Sequence, residues 1–304
     1  MSTLLVTHAD CLQHEMLPGH PERPARLTAI LRRLRDTGLA QETTTRAATA
    51  ISRAELERVH DPHYLRALYA QQPTEGLAAV DGDTFIGPRS VHAAELAAGA
   101  VRDAVANVLA GVVQRAFCAI RPPGHHAERA EAMGFCFFNN VAVGAAAALA
   151  GGARSVAILD FDVHHGNGTV DVFRGREDVL VCSSFQHPFY PNRLFDVDDA
   201  NVVNTPLAAG TGSSAFRSAI ERDWIPAVEK HKPDLVLVSA GFDAHREDPL
   251  GELELVDDDY RWVTELIVSL ANDHAQGRVV SVLEGGYNLE ALARSAAAHV
   301  EALL

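Results

Sequence analysis

Four segments of this 304-residue chain concentrate side chains that bind metals or move protons. Asp160-Phe161-Asp162-Val163-His164 alternates acidic and imidazole groups with apolar ones. In an extended segment alternate side chains share a face, so Asp160, Asp162 and His164 point one way and Phe161 and Val163 the other. Asp243, after Gly241-Phe242, can add a further oxygen. The resulting Asp/His/Asp set suits zinc or another divalent first-row metal and leaves a position open for water. Alone, Asp-x-His reads as a solvated turn; Asp243 and a histidine pair in matching positions turn the reading toward a metal site. That pair, His125-His126, follows the stiff Pro122-Pro123-Gly124 turn. A metal-bound water needs a base near its operating pH, and imidazole, with an ordinary pKa of about 6.5, is the simplest choice. Asp160, unless itself a ligand, can orient one imidazole, and Asn167 the other without adding charge. Tyr287, after Gly285-Gly286, is either a packed residue at a strand-to-helix corner or a hydroxyl donor to an oxyanion opposite the metal.

These residues need elements that bring them together. Apolar, β-branched runs at 117–120, 156–159, 179–182, 235–238 and 279–283 read as buried strands, with a further strand at 4–7. Amphipathic stretches at 90–109, 141–149, 214–229, 257–272 and 289–303 read as helices, broken at Gly111, Gly151-Gly152 and Gly277. Alternation of this kind predicts a mainly parallel sheet covered by helices on both faces. The reactive segments directly follow four of the runs, and in parallel α/β sheets ligands bind outside the carboxyl ends of the strands.

Composition narrows the function classes. Forty acidic against 26 basic side chains leave a net charge of -14, which argues against a protein that coats phosphate backbones. No direct nucleic-acid binding is expected. The longest apolar stretch, near 141–150, is too short for the roughly 18 residues of a membrane span, and the N-terminus lacks the pattern of a signal peptide. A cytoplasmic protein with no membrane association is the expectation. Cys11, Cys118, Cys136 and Cys182 form no CxxC pair and read as buried free thiols. No Pro/Ser-rich linker or repeat interrupts the chain, so residues 1–304 read as a single domain.

Taken together, Arg121-Pro-Pro-Gly-His-His126, Gly134-Phe-Cys-Phe-Phe-Asn-Asn140, Asp160-Phe-Asp-Val-His-His-Gly-Asn-Gly168, Gly241-Phe-Asp243 and Leu283-Glu-Gly-Gly-Tyr-Asn288 resemble the zinc-dependent histone deacetylase family. His20-Pro-Glu-Arg-Pro24 adds an N-terminal match. Asn167 and the Glu284-Gly-Gly-Tyr287 wording resemble its class II branch and the bacterial histone deacetylase-like amidohydrolases. The resemblance implies an arginase-like three-layer α/β/α sandwich around a mainly parallel central sheet. It implies zinc, or iron, held by Asp162, His164 and Asp243. His126, paired with Asn167, becomes general base and then acid, His125, paired with Asp160, an electrostatic partner, and Tyr287 the oxyanion donor. Gly134 and Phe135 line an acyl-lysine tunnel, with Tyr190 as the opposite wall, and Arg23 matches an arginine near an acetate exit. A structural potassium is implied between the Asp160 side chain, the Ser183 hydroxyl and the carbonyls of Asp162, His164 and Ser184.

The implied reaction is hydrolysis of an acyl-lysine amide in a peptide or protein, or of a small acylated amine. An acetylpolyamine amidohydrolase shares fold, metal and mechanism, but polyamine-selective relatives tend to carry Glu directly after Asp-Pro. Here Asp248-Pro249 is followed by Leu250, which resembles the lysine-selective type. A two-manganese ureohydrolase needs an additional carboxylate where this chain has Gly166, and a silent acyl-lysine binding module would be expected to have lost a ligand or the tyrosine. Phe185 stands where many relatives carry His, and Asn192-Arg193 replaces a more usual Gly-Thr-Gly; both segments are expected at the rim.

Overall fold

The computed structural model describes residues 3–304. In chain order the strands are β1 (Thr3–Thr7), β2 (Thr43–Ala47), β3 (Ala78–Ala79), β4 (Phe85–Ile86), β5 (Arg115–Cys118), β6 (Val156–Asp160), β7 (Val179–Gln186), β8 (Val202–Leu207), β9 (Leu235–Ala240) and β10 (Val279–Leu283). The helices are α1 (Ala25–Asp36), α2 (Leu39–Glu42), α3 (Arg53–Leu56), α4 (Pro62–Gln71), α5 (Ser90–Leu109), α6 (Asn140–Ala150), α7 (Asn167–Phe173), α8 (Ser213–His231), α9 (Asp257–His274) and α10 (Leu289–Leu303). Eight strands form one sheet in the order β2-β1-β5-β10-β9-β6-β7-β8, parallel at every pairing. Strands β3 and β4 make a separate antiparallel pair.

The central strands are fully buried, as continuous Val/Ile/Leu runs require when both faces are covered. Register shows how the helices divide. Leu237 pairs with Val280 and lies against α6 at Gly144, whose missing side chain leaves room for Val101 of α5. Ser281, next along β10, points to the other face and bonds to His299 of α10. Helices α5 and α6 therefore pack on one face and α10, with α9 and α1, on the other. This is the three-layer α/β/α sandwich expected.

Besides the short β3–β4 pair, both edge strands of the main sheet and several strand boundaries differ from expectation. The edge strand β8 escaped notice because Asn204 and Pro206 interrupt it; proline lacks a ladder donor and is tolerated at an edge. The opposite edge, β2, is mostly exposed Thr and Arg with no apolar run. Strand β7 continues past Cys182 to Gln186 because Ser183 and Ser184 keep pairing with Asn204 and Thr205 of β8. Strand β5 starts and stops two residues early; beyond it Ala119 makes one more bond, to the Val6 carbonyl, before the chain turns away.

Candidate active site

Parallel pairing brings the reactive segments to one edge of the sheet. Asp160 is level with Ser183 on one side and Ser239 on the other, and Leu283 is level with Ala240. Just beyond, buried Asp162, His164 and Asp243 offer one ligand atom each, all within 4.8 Å of one another. His164 Nδ1 lies 3.1 Å from Asp162 Oδ1 and 3.2 Å from Asp243 Oδ2. Backbone groups aim both carboxylates: Gly285 N–H donates to Asp162 Oδ2 at 2.8 Å and Val163 N–H to Asp243 Oδ1 at 2.9 Å. Asp243 Oδ2, fully buried, has no hydrogen-bond partner. A buried carboxylate oxygen without a donor, facing an imidazole nitrogen, fits a metal ligand. Burial and the neighbouring Asp162 push Asp243 up to about 7, a crowding of acid groups that a divalent cation relieves. The pocket is cut to size by glycine, since a Cβ at Gly241 or Gly285 would overlap these carboxylates.

The histidine pair sits above this cluster, with ring centroids 4.1 Å apart. Glu284 suspends their turn: one carboxylate oxygen accepts from Gly124 N–H at 2.7 Å and His125 N–H at 3.1 Å. His125 Nδ1 is 2.9 Å from Asp160 Oδ2, and His126 Nδ1 is 2.7 Å from Asn167 Oδ1. Both pairings match those implied by the resemblance. Burial opposes charge on His125, yet the Asp162 and Asp160 carboxylates hold it well above the ordinary imidazole range. Burial and the His125 and His164 rings hold His126 well below that range. The two adjacent imidazoles are thus pushed in opposite directions by their surroundings.

A cavity of about 620 Å³ opens over the cluster. Its walls include His126, Gly134, Phe135, Tyr190, Leu250 and Tyr287. Phe135 meets the Tyr287 ring edge-on at 5.9 Å, and Tyr190 meets His126 edge-on at 5.3 Å. Phe189, which sequence reasoning passed over, stacks on His164 at 5.3 Å. Gly134 has φ +56, and a Cβ there would overlap the His126 ring. Burial pushes the Tyr287 hydroxyl well above 10, so it stays a donor. Asp248 pins the tyrosine turn by accepting from Tyr287 N–H at 2.6 Å and Asn288 N–H at 3.1 Å.

Two expectations change. Arg23 is exposed, and the arginine that reaches the site is Arg26, whose guanidinium lies 4.8 Å over the Tyr287 ring and donates to the carbonyls of Glu284 and Gly286. Just before α1, Glu22 receives two 2.6 Å bonds from buried Arg121 and one from Arg26. The signal for Arg26 is its place on the buried side of α1 with Leu27, Ile30 and Leu34, whereas Arg23 precedes the helix. Phe185 is buried edge-on against His165 at 4.6 Å instead of standing at the rim, because β7 extends through it. Asn192 and Arg193 are exposed, as expected of a rim.

In the segments where potassium is expected, Ser184 Oγ donates to the Asp160 carbonyl at 3.4 Å, and Gly166 N–H donates to Ser183 Oγ at 3.4 Å. A Cβ at Gly166 would overlap the Asp160 carboxylate, so no side chain fits where a second divalent metal would need one. All four cysteines are buried and free. Among the described residues no helix is long and apolar enough to cross a membrane.

The family model for the histone deacetylase domain matches residues 20–303. The histone deacetylase-like amidohydrolase of Pseudomonas aeruginosa is 40% identical over 278 residues, covering 89% of this chain and 73% of that protein. Human polyamine deacetylase HDAC10 is 39% identical over 326 residues, covering all of this chain but 48% of that protein. The crystal structure of the HDA15 HD domain superposes with a TM-score of 0.94 at 35% identity, over 99% of this chain and 88% of that one.

Proposed function

This chain belongs to the histone deacetylase domain family, and from that premise we propose that it is a metal-dependent hydrolase that removes acetyl or other short acyl groups from the ε-amine of lysine. Zinc, or iron, is the metal we assign to Asp162, His164 and Asp243. The observation that carries the reading is the unpartnered Asp243 Oδ2 beside His164 Nδ1, at the floor of the cavity that His126 and Tyr287 also line. A divalent ion bound there supplies Lewis acidity to an amide carbonyl and to an attacking water.

The remaining steps fall to this chain's own groups. His126, a free base with Nδ1 engaged by Asn167, takes the water's proton at Nε2 and returns a proton to the departing amine. His125, paired through Nδ1 with Asp160, favours the negative charge that develops on the tetrahedral oxygen. Tyr287 donates its hydroxyl to that oxygen. Gly134, Phe135, Tyr190 and Leu250 hold the acyl-lysine stem, keeping water from the reacting carbonyl. Asp160, Ser183, Ser184 and the carbonyls of Asp162 and His164, all oxygen donors, would hold potassium as a structural ion.

A small acylated polyamine is the second reading. Asp83 and Glu252 both line the cavity, and two carboxylates at its mouth suit a substrate whose tail is cationic. A relative carries polyamine deacetylase in its name. Leu250 at the position where an acidic gate would stand favours lysine. The test is a panel of acyl-lysine peptides and acetylated diamines on enzyme reconstituted with zinc or iron. Higher kcat/KM for the peptides supports the first reading and the reverse supports the second. Metal binding with tight acetyl-lysine capture and no turnover would defeat both.

A further inference from the structure

We propose that Glu128 and Arg193 are positioning residues that fix the tautomer of His126 through the side-chain amide of Asn167. The inference deepens the reading of His126 as the base and rests on it.

A proton inventory carries the argument. The amide nitrogen of Asn167 faces three groups: Glu128 Oε1 at 2.7 Å, Met133 Sδ at 3.3 Å and the His126 carbonyl at 3.4 Å. A carboxylate, a thioether and a carbonyl only accept, so the NH₂ end of the amide must occupy that side. Asn167 Oδ1 is thereby turned to His126 Nδ1, 2.7 Å away. An amide oxygen cannot donate. The proton of neutral His126 must sit on Nδ1, and Nε2 carries the lone pair that meets the water. Glu128 is the strongest of the three acceptors, and its effect depends on its remaining an anion.

Arg193 keeps it so. Its guanidinium donates to Glu128 Oε2 at 2.9 Å and to Glu131 Oε2 at 3.0 Å, closing a chain from the exposed rim to the histidine. Burial pushes Glu128 up, and Arg193 and the Asn167 amide oppose that push. The rim segment is shaped for the contact: Asn192 and Leu194, on either side of Arg193, have φ +54 and +57. Residues other than glycine adopt this left-handed conformation only at a cost, and such cost gathers where geometry matters to function.

The test uses the full chain with ¹⁵N-labelled imidazoles, metal-free and metal-loaded, with His126→Ala identifying the His126 signals. Wild type is expected to show neutral His126 protonated at Nδ1. In Glu128→Gln the new amide can offer either end, Asn167 can rotate, and both tautomers appear. Loss of such an outer contact costs about 10- to 100-fold in activity elsewhere, and kcat here should fall by about tenfold, the low end, because two acceptors still face Asn167. KM should stay within about twofold on the same reasoning, since Glu128 does not line the cavity. Arg193→Met should give an intermediate loss and Arg193→Lys should recover most of it. An unchanged tautomer in Glu128→Gln and Arg193→Met, whatever happens to the rates, overturns the inference. Retained turnover in His126→Ala sinks the base assignment instead and leaves the tautomer measurement standing.

Discussion

His299 offers a way to measure how this fold responds to acid. It is fully buried, with Nδ1 2.6 Å from Thr264 Oγ1 and Nε2 2.7 Å from Ser281 Oγ. Thr264 Oγ1 already donates to the Tyr260 carbonyl, so it accepts from Nδ1–H, and Ser281 donates to Nε2. The neutral ring is satisfied at both nitrogens, and no carboxylate bonds to it. Phe117, Phe161 and Phe242 enclose it. Burial pushes its pKa down to about 3. In the unfolded chain it returns to about 6.5, so below that pH the unfolded state binds a proton that the folded state refuses. The contribution is therefore whole above 6.5 and is lost as pH falls toward 3. At pH 5 the gap of about 1.5 units amounts to about 2 kcal/mol at 1.36 kcal/mol per unit. Urea unfolding of wild type and His299→Leu at pH 7.5 and 5.0 isolates this term, because the other buried histidines cancel in the difference. At pH 7.5 the variant should be less stable, by about 1–3 kcal/mol, since Ser281 loses its buried partner. At pH 5.0 that deficit should shrink by about 2 kcal/mol. A deficit that stays the same at both pH values refutes the reasoning.

Three further outcomes follow from the site. Tyr287→Phe removes one hydroxyl donor and should cut turnover by about a hundredfold to a thousandfold while metal content, read by elemental analysis, stays unchanged. Gly241→Ala drives a methyl into the Asp162 carboxylate, so calorimetric titration should find zinc affinity weakened by about tenfold or more with the fold intact by circular dichroism. Arg121→Met strips Glu22 of its two shortest bonds and leaves a buried anion with only Arg26 and the His14 ring beside it; denaturant unfolding should show a loss of about 3–5 kcal/mol.

The site was legible wherever chemistry and strand ends coincide in sequence. Asp162, His164, Asp243, His125 and His126 all follow apolar runs within a few residues, and parallel pairing obliges such positions to share an edge. What escaped was support that arrives from far away. Glu128 and Arg193 are 65 residues apart, and nothing local marks them as partners. Glu22 reads as an ordinary helix-entry acid until Arg121, 99 residues later, closes on it. Arg23 was expected from its motif and Arg26 went unread, although the buried stripe of Leu27, Ile30 and Leu34 puts Arg26 on the inner side of α1. The edges β2 and β8 were invisible for a different reason: each is solvated on one side, so its apolar pattern is diluted.

Strand β10 lies between β5 and β9 in the middle of the sheet, yet it is the last strand to be synthesised. Until it emerges, β5 and β9 each present an unpaired edge, and the β2-β1-β5 and β9-β6-β7-β8 halves have no ladder between them. Asp162 and Asp243 are already present in such a nascent chain, but Gly285, which aims Asp162, and the carbonyls that Arg26 grips, 258 and 260 residues after it, are not. Closure of the sheet and support of the site thus both depend on the segment that carries β10. A chain shortened before residue 279 loses both together, keeping all three ligand residues in its sequence and no centre to put them in.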